Sequence, residues 1–113
     1  IAEKIATTTP TTTPDTTAPV ISNLMATSTT ATSTRIIWVT NETADSKVWY
    51  STSTLFTIAT STPMASSSAL VLNHDIPIFN LNASTTYYYL VTSADASANT
   101  ATSTEQSFTT LSQ

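Results

Sequence analysis

The chain has 113 residues, with no Cys, no Gly, a single His and ten charged side chains that sum to -4. Without cysteine there is no disulfide framework, thiolate-held zinc or cysteine nucleophile, and without glycine no phosphate-cradling Gly loop. Three Lys and Arg against seven Asp and Glu argue against nucleic acid or an anionic membrane as partner, and no apolar run approaches the roughly 18 to 20 residues of a membrane span.

In chain order, residues 1–18 read as an extended Thr/Pro-rich segment or linker. Ile1, Ala2, Ile5 and Ala6 have helix-like spacing, but six residues are too few for a helix alone. A start at Ile, with no initiator Met or signal peptide, reads as a processed form or a piece of a longer protein. Two copies of Thr-Thr-Thr-Pro then lead to Asp15. Proline fixes φ and β-branched Thr resists helix, so this stretch is expected to be a semi-stiff spacer, solvated or O-glycosylated.

From residue 19 to 111 short runs of alternating apolar and polar residues are separated by Ser, Thr, Asn, Asp and Pro, the pattern of an all-β sandwich. Strands are expected over 20–25, over 34–40 with Ile36 and Trp38 on one face, and over 47–51 with Val48 and Tyr50 inward and Trp49 outward. Leu55, Phe56 and Ile58 suggest a short fourth strand, and Ala69 to Leu72 an edge segment. Ile76 to Phe79 contains Pro77, which cannot donate to a ladder and therefore belongs on an edge. Tyr87 to Val91 is the strongest strand, and 104–110 is expected to bury Phe108 and the stem of Gln106. The core so read is Ile36, Trp38, Val48, Tyr50, Ile76, Ile78, Leu81, Tyr87, Tyr89, Val91 and Phe108.

Some seven strands and a Trp on the second suggest an immunoglobulin-like sandwich. Leu81-Asn-Ala-Ser-Thr-Thr-Tyr87 resembles the Leu-x-Pro-Gly-Thr-x-Tyr of the tyrosine corner in fibronectin type III domains. The approach from Asp15 through Pro19 to Leu24 and the turn from Ala94 to Ala101 are similar to those of bacterial cell-surface members. The resemblance covers residues 15 to 110 and implies a seven-stranded sandwich in an extracellular or cell-surface protein. Ala83 and Ser84 stand where the family has Pro and Gly, and Ala98 stands at another family glycine. Positive φ is therefore expected of Asn41, Asn82 and Asn99, since Asn tolerates the left-handed region.

Chemistry has few places to reside. His74-Asp75 is the one pair with acid/base potential, but neighbours on a strand point to opposite faces, so His74 reads as a strand-end polar residue and the chain as a non-enzyme. Asn41-Glu-Thr43 and Asn82-Ala-Ser84 match the N-glycosylation pattern; with six Asn among 44 Ser and Thr, chance supplies about two matches. No catalytic or cofactor-binding residue is assigned.

The sandwich order brings the N-terminal approach, the turn after the Trp strand and the turn after the Tyr strand to one pole. Asp15, Glu42, Asp45, Asp95 and Asn99 are thus candidate oxygen ligands for Ca²⁺, against the plainer reading of solvated loop acids. Lys47, Trp49, Tyr88 and Leu90 are expected on one outward face as a contact surface. With Ile1 and Ile5 of the tail they suggest self-association, contact with neighbouring domains or glycan binding. The reading is a structural or adhesion module of a surface or filament-forming protein; the alternative is a carbohydrate-binding or spacer domain accessory to a secreted hydrolase.

Overall fold

The computed structural model describes residues 14–113. Six antiparallel strands form it: β1 (Ile21–Thr27), β2 (Thr34–Ser51), β3 (Met64–Ile78), β4 (Thr86–Ala94), β5 (Thr100–Thr102) and β6 (Gln106–Thr109). No described residue is helical, as expected for β-branched Thr, Val and Ile in alternation.

Strand β2 organises the fold. Its first part pairs with β1 and with the second part of β3, Trp38 opposite His74. Its last part pairs with the start of β3 and with β4, Trp49 opposite both Met64 and Leu90. Register irregularities between Val39 and Ser46 mark where the β2–β3 ribbon bends from one layer into the other. Strands β5 and β6 both add to the far side of β4. Parity survives the bend: every even residue of β2 from Thr34 to Val48 is buried except Glu42, at the apex.

Ten of the eleven residues expected in the core form one buried cluster, and Tyr50 packs half-buried against it. The Tyr87 and Phe108 rings stack at 5.5 Å, while Tyr50 meets Tyr87 edge-on at 6.3 Å. Burial pushes the Tyr89 hydroxyl up to about 12.

Several expectations are corrected. The second and third strands are one continuous strand, and the pieces at 69–72 and 76–79 merge into β3, which keeps Pro77 on an edge strand but leaves Phe79 outside it. Residues 55–58 are loop, not strand: Leu55 is 84% exposed at φ 55°, its backbone N–H held by Glu105 Oε1 at 2.8 Å. The last strand is shorter than expected and leaves Gln106 exposed. His74 lies inside β3, not at its end, and is buried because it shares parity with Ile76 and Ile78.

Without glycine, hydroxyls close the turns. Thr30 Oγ1 accepts from the Ser33 N–H at 3.0 Å and the Thr32 N–H at 3.2 Å between β1 and β2. Positive φ falls not on Asn41, Asn82 or Asn99 but on Asn23, Ser28, Leu55, Asn80, Ser84 and Ala98. Ser84 and Ala98 are the two positions where the resembling family has glycine, so turn geometry prevailed over side-chain preference.

Candidate functional site

Three places concentrate chemistry. The first is the pole where the approach to β1, the bend of β2 and the β4–β5 turn converge. Asp15, Glu42 and Asp95 each bring a carboxylate oxygen within 4.8 Å of the others. Asp95 is buried and organises its turn: Oδ1 accepts the Ser97 and Asn99 N–H groups, both at 2.9 Å. The Asn99 amide nitrogen bridges the cluster, donating to Asp15 O at 2.9 Å and Asp95 Oδ2 at 3.1 Å.

The remaining expected member, Asp45, is turned to another task, accepting the Ala94 N–H at 2.8 Å. Three of the five expected residues thus form the carboxylate group, with Asn99 as hydrogen-bond bridge. Partial desolvation, then the charges of Asp15 and Asp95, raise the Glu42 carboxyl above its ordinary value. Burial opposes ionisation of Asp95 as well, but the hydrogen bonds donated by Asn99 and Ser97 outweigh it and hold its carboxyl low. Such a cluster can share a proton or hold a hard cation.

The second place is the outward face of β2 and β4. Trp49 sits opposite Leu90, Lys47 opposite Thr92 and Ser51 opposite Tyr88, so the four expected residues share one face. All four are half-buried, covered in part by their neighbours. Trp49 Nε1 donates to Thr92 Oγ1 at 3.1 Å, which satisfies the indole and fixes its plane. Met64, 43% exposed beside Trp49, extends the face onto β3 and was not anticipated, because its partner is set by β2–β3 register. Ile1 and Ile5 lie outside the described residues. The side chains of Asn41 and Asn82 are exposed, and Asn41 Oδ1 accepts the Val20 N–H at 2.7 Å.

The third place is internal. His74, 2% exposed, stacks on Trp38 with ring centroids 4.8 Å apart and planes 3° from parallel. Its Nε2 lies 2.8 Å from Thr40 Oγ1 and its Nδ1 2.6 Å from Ser46 Oγ. Asp75 points the other way, accepting from Arg35 Nε at 2.9 Å on the surface. Both imidazole nitrogens are therefore engaged by hydroxyls inside the protein. The parity shared with Ile76 and Ile78 was the sequence signal for this burial.

This architecture, with the Asn82 N–H bonded to the Tyr87 hydroxyl at 2.9 Å, defines a fibronectin type III-like sandwich. Residues 19–110 match the model of the purple acid phosphatase N-terminal domain, and the chain belongs to that family. A fibronectin type III domain of human fibronectin type III domain containing protein 3 is similar at 14% identity and TM-score 0.59, with 95% of this chain and 94% of that one covered. The third such domain of human KIAA0343 protein gives 11% identity and TM-score 0.61 over the same shares. The sensor domain of the anti-sigma factor RsgI4 of Pseudobacteroides cellulosolvens is similar at 22% identity and TM-score 0.58, covering 84% of this chain and 91% of that one. At these identities the likeness is one of fold. No curated protein matches the chain. Among the described residues no helix is long and apolar enough to cross a membrane.

Proposed function

We propose that this chain is a non-catalytic extracellular module that holds a neighbouring domain or subunit against the outward face of β2 and β4. The observation that carries the reading is the apolar row formed by Met64, Trp49 and Leu90 across three neighbouring strands, flanked by Lys47 and Tyr88. Trp and Tyr anchor contact surfaces because they bring large rigid area with a polar handle. The engagement of His74 in the interior also supports a non-catalytic role. In this reading residues 1–18 are the spacer, residues 19–111 the folded bead, and Ile1 and Ile5 a second contact in a surface or filament-forming protein.

The test compares the protein isolated from its native surface with recombinant Trp49→Ser and Leu90→Ser chains, by electron microscopy and sedimentation. Loss of association in folded variants supports the contact face. Unchanged association in both sinks it.

A second reading is favoured by the family match: an accessory domain beside the catalytic domain of a secreted hydrolase. Intact mass of the native protein separates the two, because a catalytic domain in the same chain establishes the second reading and a subunit of about one domain excludes it.

A further inference from the structure

Interior hydroxyls are placed on both sides of the β2 bend. Thr40 precedes it and pairs in the layer of β1; Ser46 follows it and leads into the layer of β4. The His74 imidazole, from β3, reaches both. Its proton inventory follows from its partners. A threonine hydroxyl has one proton, and the acceptors within reach of Thr40 Oγ1 besides the imidazole are carbonyls: Glu42 O at 2.7 Å and, more distantly, Val71 O at 3.5 Å. Carbonyls only accept, so the Thr40 proton goes to Glu42 O and Oγ1 must accept from His74 Nε2–H. In the neutral ring Nδ1 is then bare and takes the Ser46 O–H.

We propose that His74 is a neutral clasp across the bend of β2, with its proton on Nε2, and that a second proton at Nδ1 reverses the bond to Ser46, leaves a charge buried at the bend and weakens the fold in acidic surroundings. The doubly protonated ring has two donors and no acceptor, so the Ser46 hydroxyl must turn its proton away and accept instead. A buried imidazolium also lacks solvation, since the ring is 2% exposed and stacked on Trp38.

The surrounding charges do not compensate. On β2, Asp45 favours the charged ring but its Oδ1 is bonded to the Ala94 N–H; Glu42 offers its carbonyl to Thr40, Lys47 is on the outward face, and Arg35 is paired with Asp75. Asp75 of β3 points to the opposite face. Strands β1, β4, β5 and β6 carry no Asp, Glu, Lys, Arg or His. Burial accordingly holds the His74 imidazole below its ordinary value of 6.5, with Asp45 opposing.

The test is imidazole ¹⁵N NMR on the full chain, followed from neutral to acidic pH beside urea unfolding. Expected are an Nε2-protonated ring at neutral pH and a folding constant that falls, by up to tenfold per pH unit, once pH drops below about 6.5. His74→Gln, which keeps a donor toward Thr40 and cannot take up the proton, is expected to lose this step. An Nδ1-protonated ring overturns the proposal, as does a wild-type folding constant flat through this range or an equally steep fall in His74→Gln. Should the variant not fold, the wild-type tautomer and titration decide.

Discussion

The backbone N–H of Asn82 donates to the hydroxyl oxygen of Tyr87 at 2.9 Å, while the Tyr87 ring packs against Phe108. One side chain thus anchors the β3–β4 corner both to the core and to itself. Thr110 Oγ1 completes the lock, donating to Asn82 O at 2.6 Å and accepting the Thr85 N–H at 2.9 Å. Tyr87→Phe keeps the ring and leaves the Asn82 N–H without its partner, so it is expected to cost about 1 to 3 kcal/mol in urea unfolding. A variant as stable as the parent would mean that water replaces the hydroxyl fully.

Ser84 at φ 52° and Ala98 at φ 68° hold a left-handed backbone that their Cβ atoms disfavour. That conformation costs a non-glycine residue about 1 to 2 kcal/mol, against a loss of about 0.5 to 1 kcal/mol for the extra freedom of glycine in the unfolded chain. Ser84→Gly and Ala98→Gly are each therefore expected to raise stability modestly, by up to about 1 kcal/mol or some 4 to 8 °C in Tm. Asn80→Gly, starting from a side chain that tolerates this region, is expected to gain less.

The two tryptophans differ in what they fill. Trp38 is 1% exposed, stacks on His74 and donates from Nε1 to Ser93 Oγ at 2.9 Å, whereas Trp49 lies half-buried on the outward face. Trp38→Ala is expected to cost about 3 to 5 kcal/mol, enough to unfold most of a domain this small. Trp49→Ala is expected to leave it folded. Equal loss in the two unfolding curves would contradict the assignment of faces.

The acidic pole has opposing pH signatures. Glu42, raised by partial desolvation and by Asp15 and Asp95, stabilises the fold most below its unfolded value of 4.5, and that contribution is lost as pH rises through the folded value. Asp95, lowered by its hydrogen bonds, contributes above 3.8 and loses that contribution as pH falls through its folded value. Glu42→Gln is expected to stabilise the chain at about pH 7 and make little difference below about pH 4. Asp95→Asn is expected to destabilise it at neutral pH. Urea midpoints at the two pH values check both signs.

Alternation alone determined which residues form the core. In a strand the side-chain period is two, so the parity of Ile36 and Trp38, of Ile76 and Ile78, and of Tyr87, Tyr89 and Val91 assigns each to a face without knowledge of its partner. The outward setting of Trp49 was legible for the same local reason, and the tyrosine corner from the resemblance of Leu81 to Tyr87 to the fibronectin type III motif. That parity also contained the burial of His74, but a polar residue beside Asp75 reads as surface until its two hydroxyl partners are known.

What only the tertiary structure decided depends on how the layers stack. The sequence marks Asn41 to Asp45 as a break between strands; pairing to β3 carries β2 through it as a bend, which sets Thr40 and Ser46 on either side of one imidazole. The meeting of Asp15, Glu42 and Asp95, the diversion of Asp45 to Ala94 and the left-handed turns at Ser84 and Ala98 likewise follow from closure of the sandwich. Parity is a property of neighbours along the chain, whereas these distances join residues dozens of positions apart and are fixed only when both layers close on a shared core.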